Sequence, residues 1–234
     1  IVMRHPQMDS VSEFAKASRV PVVNGGDGPN EHPSQALLDL YTIKKELLSN
    51  DRQIDGMNIA MIGDLKHGRT VHSLSQLLLL YDNITFTLIS PIELRMPAEI
   101  VSELTAGGHK IIETEDMETG LNDNDTVYLT RIQEERFTTK LEADIYRGRF
   151  RLNQSIYTRY CQPNTVIMHP LPRDSREEAN ELDSDLNQHP NLAIFRQTDN
   201  GVVVRMALFA LVLDVADKID DSATDVGWYT QGRF

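Results

Sequence analysis

The chain has 234 residues, 40% hydrophobic and 25% charged, enough to bury a proper core as one large domain or two small ones. Its formal net charge of −12, with no basic run, argues against nucleic-acid binding, and an anionic substrate would need a local Arg and Lys cluster to overcome that field. A single cysteine, Cys161, excludes a disulfide framework and a thiolate metal site and fits a reducing cytoplasm, while the longest apolar run, 206–215, is far too short to span a membrane.

The first residues, Ile1-Val2-Met3, are extended and apolar and end in Arg4-His5-Pro6. A strand needs neighbours, and too few precede Asp51 to build a good sheet, so residues are expected upstream of Ile1. Residues 9–18 suit a short helix and 20–23 a second strand, and Asn24-Gly25-Gly26-Asp27-Gly28-Pro29-Asn30 is a dense turn signal. Glu31-His32-Pro33-Ser34-Gln35 then leads into a long helix carried by Leu37, Leu38, Leu40, Tyr41, Ile43 and Leu47, with Pro33 in its first turn. Residues 49–56 read as a boundary.

From Met57 onward strands alternate with helices. Strands are expected at 58–62, 85–89, 110–113, 126–129 and 165–168, and helices at 70–81, 98–106 and near 117–121. The rhythm predicts an α/β fold, a doubly wound and mostly parallel sheet over 51–200, beside the remnant of a second α/β domain in 1–50. A strongly apolar last helix is expected over 202–219, and 220–234 read as a loose tail.

Sheets of this kind bind ligands at the carboxyl ends of their strands, so the informative residues follow each strand. Arg4 and His5 follow the first, Lys66 and Arg69 follow 58–62, Thr130-Arg131-Ile132-Gln133 follow 126–129, and His169-Pro170-Leu171-Pro172-Arg173 follow 165–168. Four basic strand ends in an acidic chain point to an anionic ligand. The turn from Gly63 to Gly68, opening a helix at Arg69-Thr70, places N–H groups and a dipole end beside two cationic side chains. It approaches the phosphate-loop pattern of nucleotide hydrolases, but Arg69 stands where that pattern needs the compact ammonium of lysine, and no later strand ends in an Asp for magnesium. His67 and His72 are five apart, poor spacing for metal ligands, and His32 has the bland alternative of capping its helix.

Taken together, Met3-Arg4-His5-Pro6, His32-Pro33-Ser34-Gln35, the run from Asp64 to Ser73, Thr130-Arg131-Ile132-Gln133-Glu134-Glu135-Arg136 and His169-Pro170-Leu171-Pro172-Arg173 resemble the aspartate carbamoyltransferases. The resemblance runs from Ile1 to about Lys218. Pro170, where the sister ornithine enzymes carry a cysteine, favours aspartate. It implies carbamoyl transfer from carbamoyl phosphate to the amine of L-aspartate, the committed step of pyrimidine synthesis, in a cytoplasmic homotrimer whose active sites lie between subunits, with regulatory chains as further partners. It implies neither metal nor cofactor.

Residue by residue, the resemblance gives Arg4, His32 and Gln35 to carbamoyl phosphate, with Arg4 and His32 at the reacting carbonyl. It gives Arg69, Arg131 and Gln133 to aspartate, with Lys66 and Thr70 beside them, and Leu171 and Pro172 to the loop whose carbonyls receive the amine. Arg136 matches a residue that stabilises domain closure through an ion pair. The family's Ser-Thr-Arg-Thr phosphate motif and its neighbour-reaching Ser and Lys loop are absent, so a chain of this length is expected to have little activity alone. A non-catalytic dicarboxylate-binding module and a phosphate-loop nucleotide hydrolase are the rival readings.

Overall fold

Strands β3 (Asn58–Ile62), β4 (Thr85–Ile89), β5 (Lys110–Thr114), β6 (Thr126–Leu129) and β7 (Val166–Met168) form one five-stranded sheet in the order β5-β4-β3-β6-β7, parallel throughout. This is a computed structural model that describes residues 1–134, 137, 139, 144–146, 148–174, 176–177 and 179–219. The central strands carry continuous apolar runs because both sheet faces are covered: Ile59, Ala60, Met61 and Ile62 of β3 are all buried. The edge strand β5 is largely exposed.

One face is packed by α2 (Pro33–Leu48), α3 (Arg69–Leu78) and α4 (Ala98–Ala106), which bring Ile43, Leu47, Val71, Leu74, Leu78 and Leu104 against Met61, Phe86 and Tyr128. On the other face Ile62, Ile89, Val127 and Ile167 meet Leu121, Tyr157 and Ile194. Tyr157 lies on α6 (Gln154–Tyr160), Ile194 opens α7 (Ile194–Val212), and Leu121 follows α5 (Met117–Gly120). Helices on both faces of a parallel sheet make the fold doubly wound, as the strand and helix rhythm predicts.

A second, two-stranded parallel sheet pairs β1 (Val2–His5) with β2 (Val23–Asp27), and α1 (Ser10–Ala17) connects them. Here the structure corrects the expected strand at 20–23. The glycine-rich segment read as a turn is itself the strand, because Val2 pairs with Val23 and Met3 with Asn24, and a partner backbone overrides glycine's weak strand propensity. The last helix is also corrected. It begins at Ile194, eight residues before the expected start, and ends at Val212, with Asp214 just beyond at φ 55°. Its early turns bury Gln197, Asn200 and Gly201, a polar face that apolar periodicity does not register. Helix α6 lies in a stretch read only as polar and aromatic, and is capped by the Asn153 side chain accepting from the Ile156 N–H at 2.9 Å. The tail 220–234 lies outside the described residues. None of the described helices is long and apolar enough to cross a membrane.

The strand order has one consequence for function. From β3 the chain builds outward to β5, then crosses to β6 and β7 on the other side, so the connections leaving β3 and β6 diverge and open a crevice at their carboxyl ends. The two strand ends still meet closely at its base. The Thr130 N–H and hydroxyl both donate to the Ile62 carbonyl, at 2.8 and 3.0 Å. Gly63 sits at φ 112°, and a Cβ there would stand 2.2 Å from the Thr130 carbonyl oxygen. Only glycine fits this junction.

Candidate active site

The loop after β3 closes around Asp64, whose side chain is fully buried. Its carboxylate accepts the His67 N–H at 3.0 Å and the Gln133 N–H at 3.2 Å, and faces the His67 Nδ1 at 3.0 Å. Gln133 Nε2 in turn donates to the His67 carbonyl at 2.8 Å, so Asp64 and Gln133 bind the loops after β3 and β6 into one unit. Two further loop amides are engaged: Leu65 N–H with the Leu94 carbonyl and Arg69 N–H with that of His67. A phosphate cradle needs amides aimed at an empty concavity, whereas this loop closes on its own carboxylate, which takes the His67 amide. A phosphate there would meet like charge, which removes the physical basis of the nucleotide-hydrolase reading.

At the crevice lies a cavity of about 410 Å³ into which Arg4, Arg69, Thr70, Thr130, Arg131 and Gln133 converge with His169 and the 170–172 loop. Arg69, at the first position of α3, crosses to the β2–α2 connection, where its Nη1 donates to the Gly28 carbonyl at 2.9 Å. Its guanidinium lies flat on Gly26, where a Cβ would come within 3.0–3.4 Å of three of its atoms. Arg131, at the end of β6, folds back so that its Nη1 donates to the Ile132 carbonyl at 3.3 Å. Two guanidinium groups from the two switch-point strands thus reach one cavity, and Arg4 joins them from the end of β1.

The opposite wall is the loop after β7. His169 is buried, its N–H donates to Gln197 Oε1 at 3.1 Å, and its Nε2 stands 2.7 Å from Glu181 Oε1. Its Nδ1 accepts the Leu171 N–H at 2.8 Å. Because Nδ1 accepts, Nε2 carries the proton and donates to Glu181; the ring is a strut with both nitrogens engaged. Leu171 is held at φ 57°, a conformation that costs a side-chain-bearing residue about 1–2 kcal/mol and that the neighbouring prolines and these bonds sustain.

His32 lines a second, smaller cavity of about 240 Å³ with Arg4, Ser34 and Arg205. It stands at the cap position of α2 without a side-chain cap bond, while its backbone N–H donates to the Ser73 hydroxyl at 3.0 Å. Burial, reinforced by the charges of Arg69, Arg4 and Arg205, lowers its pKa to about 4, so the imidazole is neutral at pH 7. Arg4 borders both cavities and joins them. Gln35 lines neither: it is buried and its Nε2 donates to Asp39 Oδ1 at 2.9 Å.

Lys66 departs from its expected place beside Arg69. It is exposed and lines neither cavity, while Asp64 and Leu65 before it are buried. Arg136 lies outside the described residues. Sequence reading missed Arg205, which no strand end marks because it lies within α7, and it placed Asp64 and His169 in motifs without giving either an organising role. Among the described residues no group of three or more His, Cys, Asp or Glu side chains is placed to hold a metal ion.

The family model for the Asp/Orn binding domain of aspartate/ornithine carbamoyltransferases matches residues 55–212, and that for the carbamoyl-P binding domain matches residues 1–45. The aspartate carbamoyltransferase catalytic subunit of Cellvibrio japonicus is 68% identical over 233 residues, covering 100% of this chain and 69% of the relative. The structure of aspartate transcarbamoylase from Trypanosoma cruzi in complex with carbamoyl phosphate and aspartate superposes with a TM-score of 0.78 at 36% identity, covering 89% of this chain and 65% of that one. The catalytic subunit of M. jannaschii aspartate transcarbamoylase gives 0.77 at 38%, covering 96% and 68%. The chain therefore spans about two thirds of the length of the relatives it matches, and it belongs to the aspartate/ornithine carbamoyltransferase family.

Proposed function

We propose that the cavity is where a carbamoyl group passes from carbamoyl phosphate to the amine of L-aspartate, giving N-carbamoyl-L-aspartate and phosphate. The observation that carries this is the convergence of Arg69 and Arg131 on one cavity opposite the Leu171-Pro172 loop. Aspartate brings two carboxylates, each matched by a planar guanidinium fork, and charge-assisted bonds of about 1.5–3 kcal/mol each distinguish a dicarboxylate from a neutral amine. Gln133 and Thr70 complete that half of the site, and carbonyls of the 171–172 loop receive the amine. Support for choosing aspartate over ornithine comes from the identity to aspartate carbamoyltransferase subunits.

Arg4 and neutral His32 serve the carbamoyl phosphate side, where fixed donors stabilise the oxygen on which charge grows; losing one such donor costs roughly 10²–10³ in rate. The amine nitrogen attacks the carbonyl carbon, the bond to the phosphate oxygen breaks, and the departing phosphate takes the amine proton. His169 is unsuited to that task because both its nitrogens are engaged. Gln35 acts from beneath the site, through Asp39. The homotrimer with shared sites, its regulatory chains and the cytoplasmic location are proposed with this reading; sedimentation of the purified protein tests the first.

Calorimetry with N-(phosphonacetyl)-L-aspartate, L-aspartate and ATP tests the assignment. The bisubstrate analogue binds, ATP does not, and Arg131→Ala abolishes dicarboxylate binding with the fold intact. Unchanged affinity in Arg131→Ala would show the site to be wrongly placed, and binding of L-aspartate with no tighter binding of the bisubstrate analogue would leave a dicarboxylate-binding module.

A further inference from the structure

Beneath the site lies a buried carboxylate that the reaction itself does not use. Asp39, on the inner face of α2, is fully buried and has three donors around it. Gln35 Nε2 and Gln197 Nε2 donate to its Oδ1 at 2.9 and 2.6 Å, and the Tyr128 hydroxyl donates to its Oδ2 at 2.6 Å. These donors come from three elements, α2, α7 and β6, and each leads to a different part of the site. Gln35 lies one turn inside the helix that His32 caps. The Tyr128 hydroxyl also lies within polar range of the side chain of Thr70, which lines the cavity. Gln197 turns its other end, Oε1, to the His169 N–H, and His169 holds Leu171 and Glu181.

A carboxamide has one donor end and one acceptor end. Gln197 has both ends committed, Nε2 donating to Asp39 and Oε1 accepting from the His169 N–H, so without Asp39 the carboxamide would be held at one end only. Three donors on one buried acceptor also leave no unpaired polar group among them, whereas removing the acceptor would leave three buried donors unpaired.

We propose that Asp39 is a positioning residue that holds Gln35, Thr70 and the 169–172 loop in one register through Tyr128 and Gln197, so that both halves of the site are set from a single buried carboxylate. The inference deepens the proposed function and rests on it for the identity of the ligands, but not for the coupling. Burial outweighs the three hydrogen bonds and the charge of Arg205 and raises the Asp39 carboxyl to about pH 6, which leaves it ionised, and an acceptor only, at neutral pH.

The test follows amide hydrogen exchange at Leu171 and Asp174 in the unliganded 234-residue chain; both amides lie beyond His169, bonded to its Nδ1 and to Glu181. Asp39→Leu, which keeps bulk and removes every acceptor, and Gln197→Met, which breaks only the link to His169, are expected to speed exchange at both amides about tenfold. Asp39→Asn keeps an oxygen for the two glutamines and can donate to the Tyr128 hydroxyl, so it should restore exchange to within about twofold of the parent. Thr42→Val is the control, because Thr42 joins the same two helices through Asn200 without reaching the loop. It should lower the thermal midpoint and leave both amides unmoved.

Unchanged exchange in Gln197→Met overturns the proposal even if Asp39→Leu does not fold. So does an equal effect of Thr42→Val, or an Asp39→Asn chain as perturbed as Asp39→Leu. Affinity for N-(phosphonacetyl)-L-aspartate is read separately: if the parent chain does not bind it, the functional reading fails, while the exchange data decide the coupling alone.

Discussion

Arg69 donates through Nη1 to the Gly28 carbonyl at 2.9 Å, joining the first turn of α3 to the connection that follows β2. The bond spans 41 positions of sequence and ties the helix that follows β3 to the loop that follows β2 at the cavity mouth. The arginine is anchored by its own backbone neighbours before any ligand arrives, so little side-chain freedom remains to be lost on binding.

Arg69→Lys should therefore weaken more than a charge count implies. A lysine keeps the charge but loses the fork and its seat on Gly26. Affinity for succinate or aspartate should fall about 10–100-fold, the equivalent of about 1.5–3 kcal/mol, with a nearly unchanged thermal midpoint. Calorimetry of the purified variant checks both numbers.

Gly63→Ala should destabilise by roughly 2–4 kcal/mol, because its Cβ would stand 2.2 Å from the Thr130 carbonyl oxygen at a positive φ, and backbone cannot give way as a side chain does. Urea denaturation measures the loss, and a midpoint equal to the parent's would contradict the packing described at this junction.

His169→Phe removes a hydrogen-bond donor from Glu181, a carboxylate only 6% exposed that keeps the Asp174 N–H, and should cost about 1.5–3 kcal/mol. Glu181→Gln should be much milder, since the amide oxygen still accepts from Nε2. Comparing the two by thermal unfolding separates loss of the strut from loss of a charge.

Two buried groups give opposite slopes to the dependence of stability on pH. His32 has its pKa lowered, so between about 4 and 6.5 the unfolded chain binds the extra proton and stability rises with pH. Asp39 has its pKa raised, so between 3.8 and about 6 the folded chain binds the extra proton and stability falls as pH rises. Each contributes a slope of at most about 1.4 kcal/mol per pH unit, and the two largely cancel across pH 4–6. Asp39→Asn should make stability rise more steeply with pH in that window, and His32→Gln should make it fall. Chemical denaturation at three or four pH values distinguishes these signs.

The same shift bears on the reaction. With His32 neutral throughout the physiological range, a rate profile under saturating aspartate should show no inflection that His32→Gln removes above pH 6. An inflection lost in that variant would make His32, and not the departing phosphate, the acceptor of the amine proton.

Much of this was legible in the residues. The apolar runs 58–62, 85–89 and 126–129 became strands as read, because a parallel strand buried on both faces leaves an unbroken hydrophobic signature. Arg4, Arg69, Arg131, Gln133 and the 169–172 segment, read from strand ends alone, do meet in one cavity. Lys66 did not follow, since which side of a tight turn a residue faces depends on the bonds inside that turn, here to Asp64. Strand β2 and the first turns of α7 escaped because their partners lie at a distance: Asn24 is a strand residue only beside Met3, and Gln197 is buried only opposite Asp39.

The sequence by itself determined the parallel sheet, its helices and the basic character of its strand ends, because hydrophobic period and turn chemistry are local and survive in one dimension. Only the tertiary structure decided which of those cations face one cavity, that His32 is held neutral by burial with three arginines around it, and that two acidic residues, Asp39 and Asp64, are internal acceptors. Those properties arise from burial and from contacts between residues as far apart as the 158 positions between Asp39 and Gln197, and neither burial nor such a contact has a signature in the neighbouring residues.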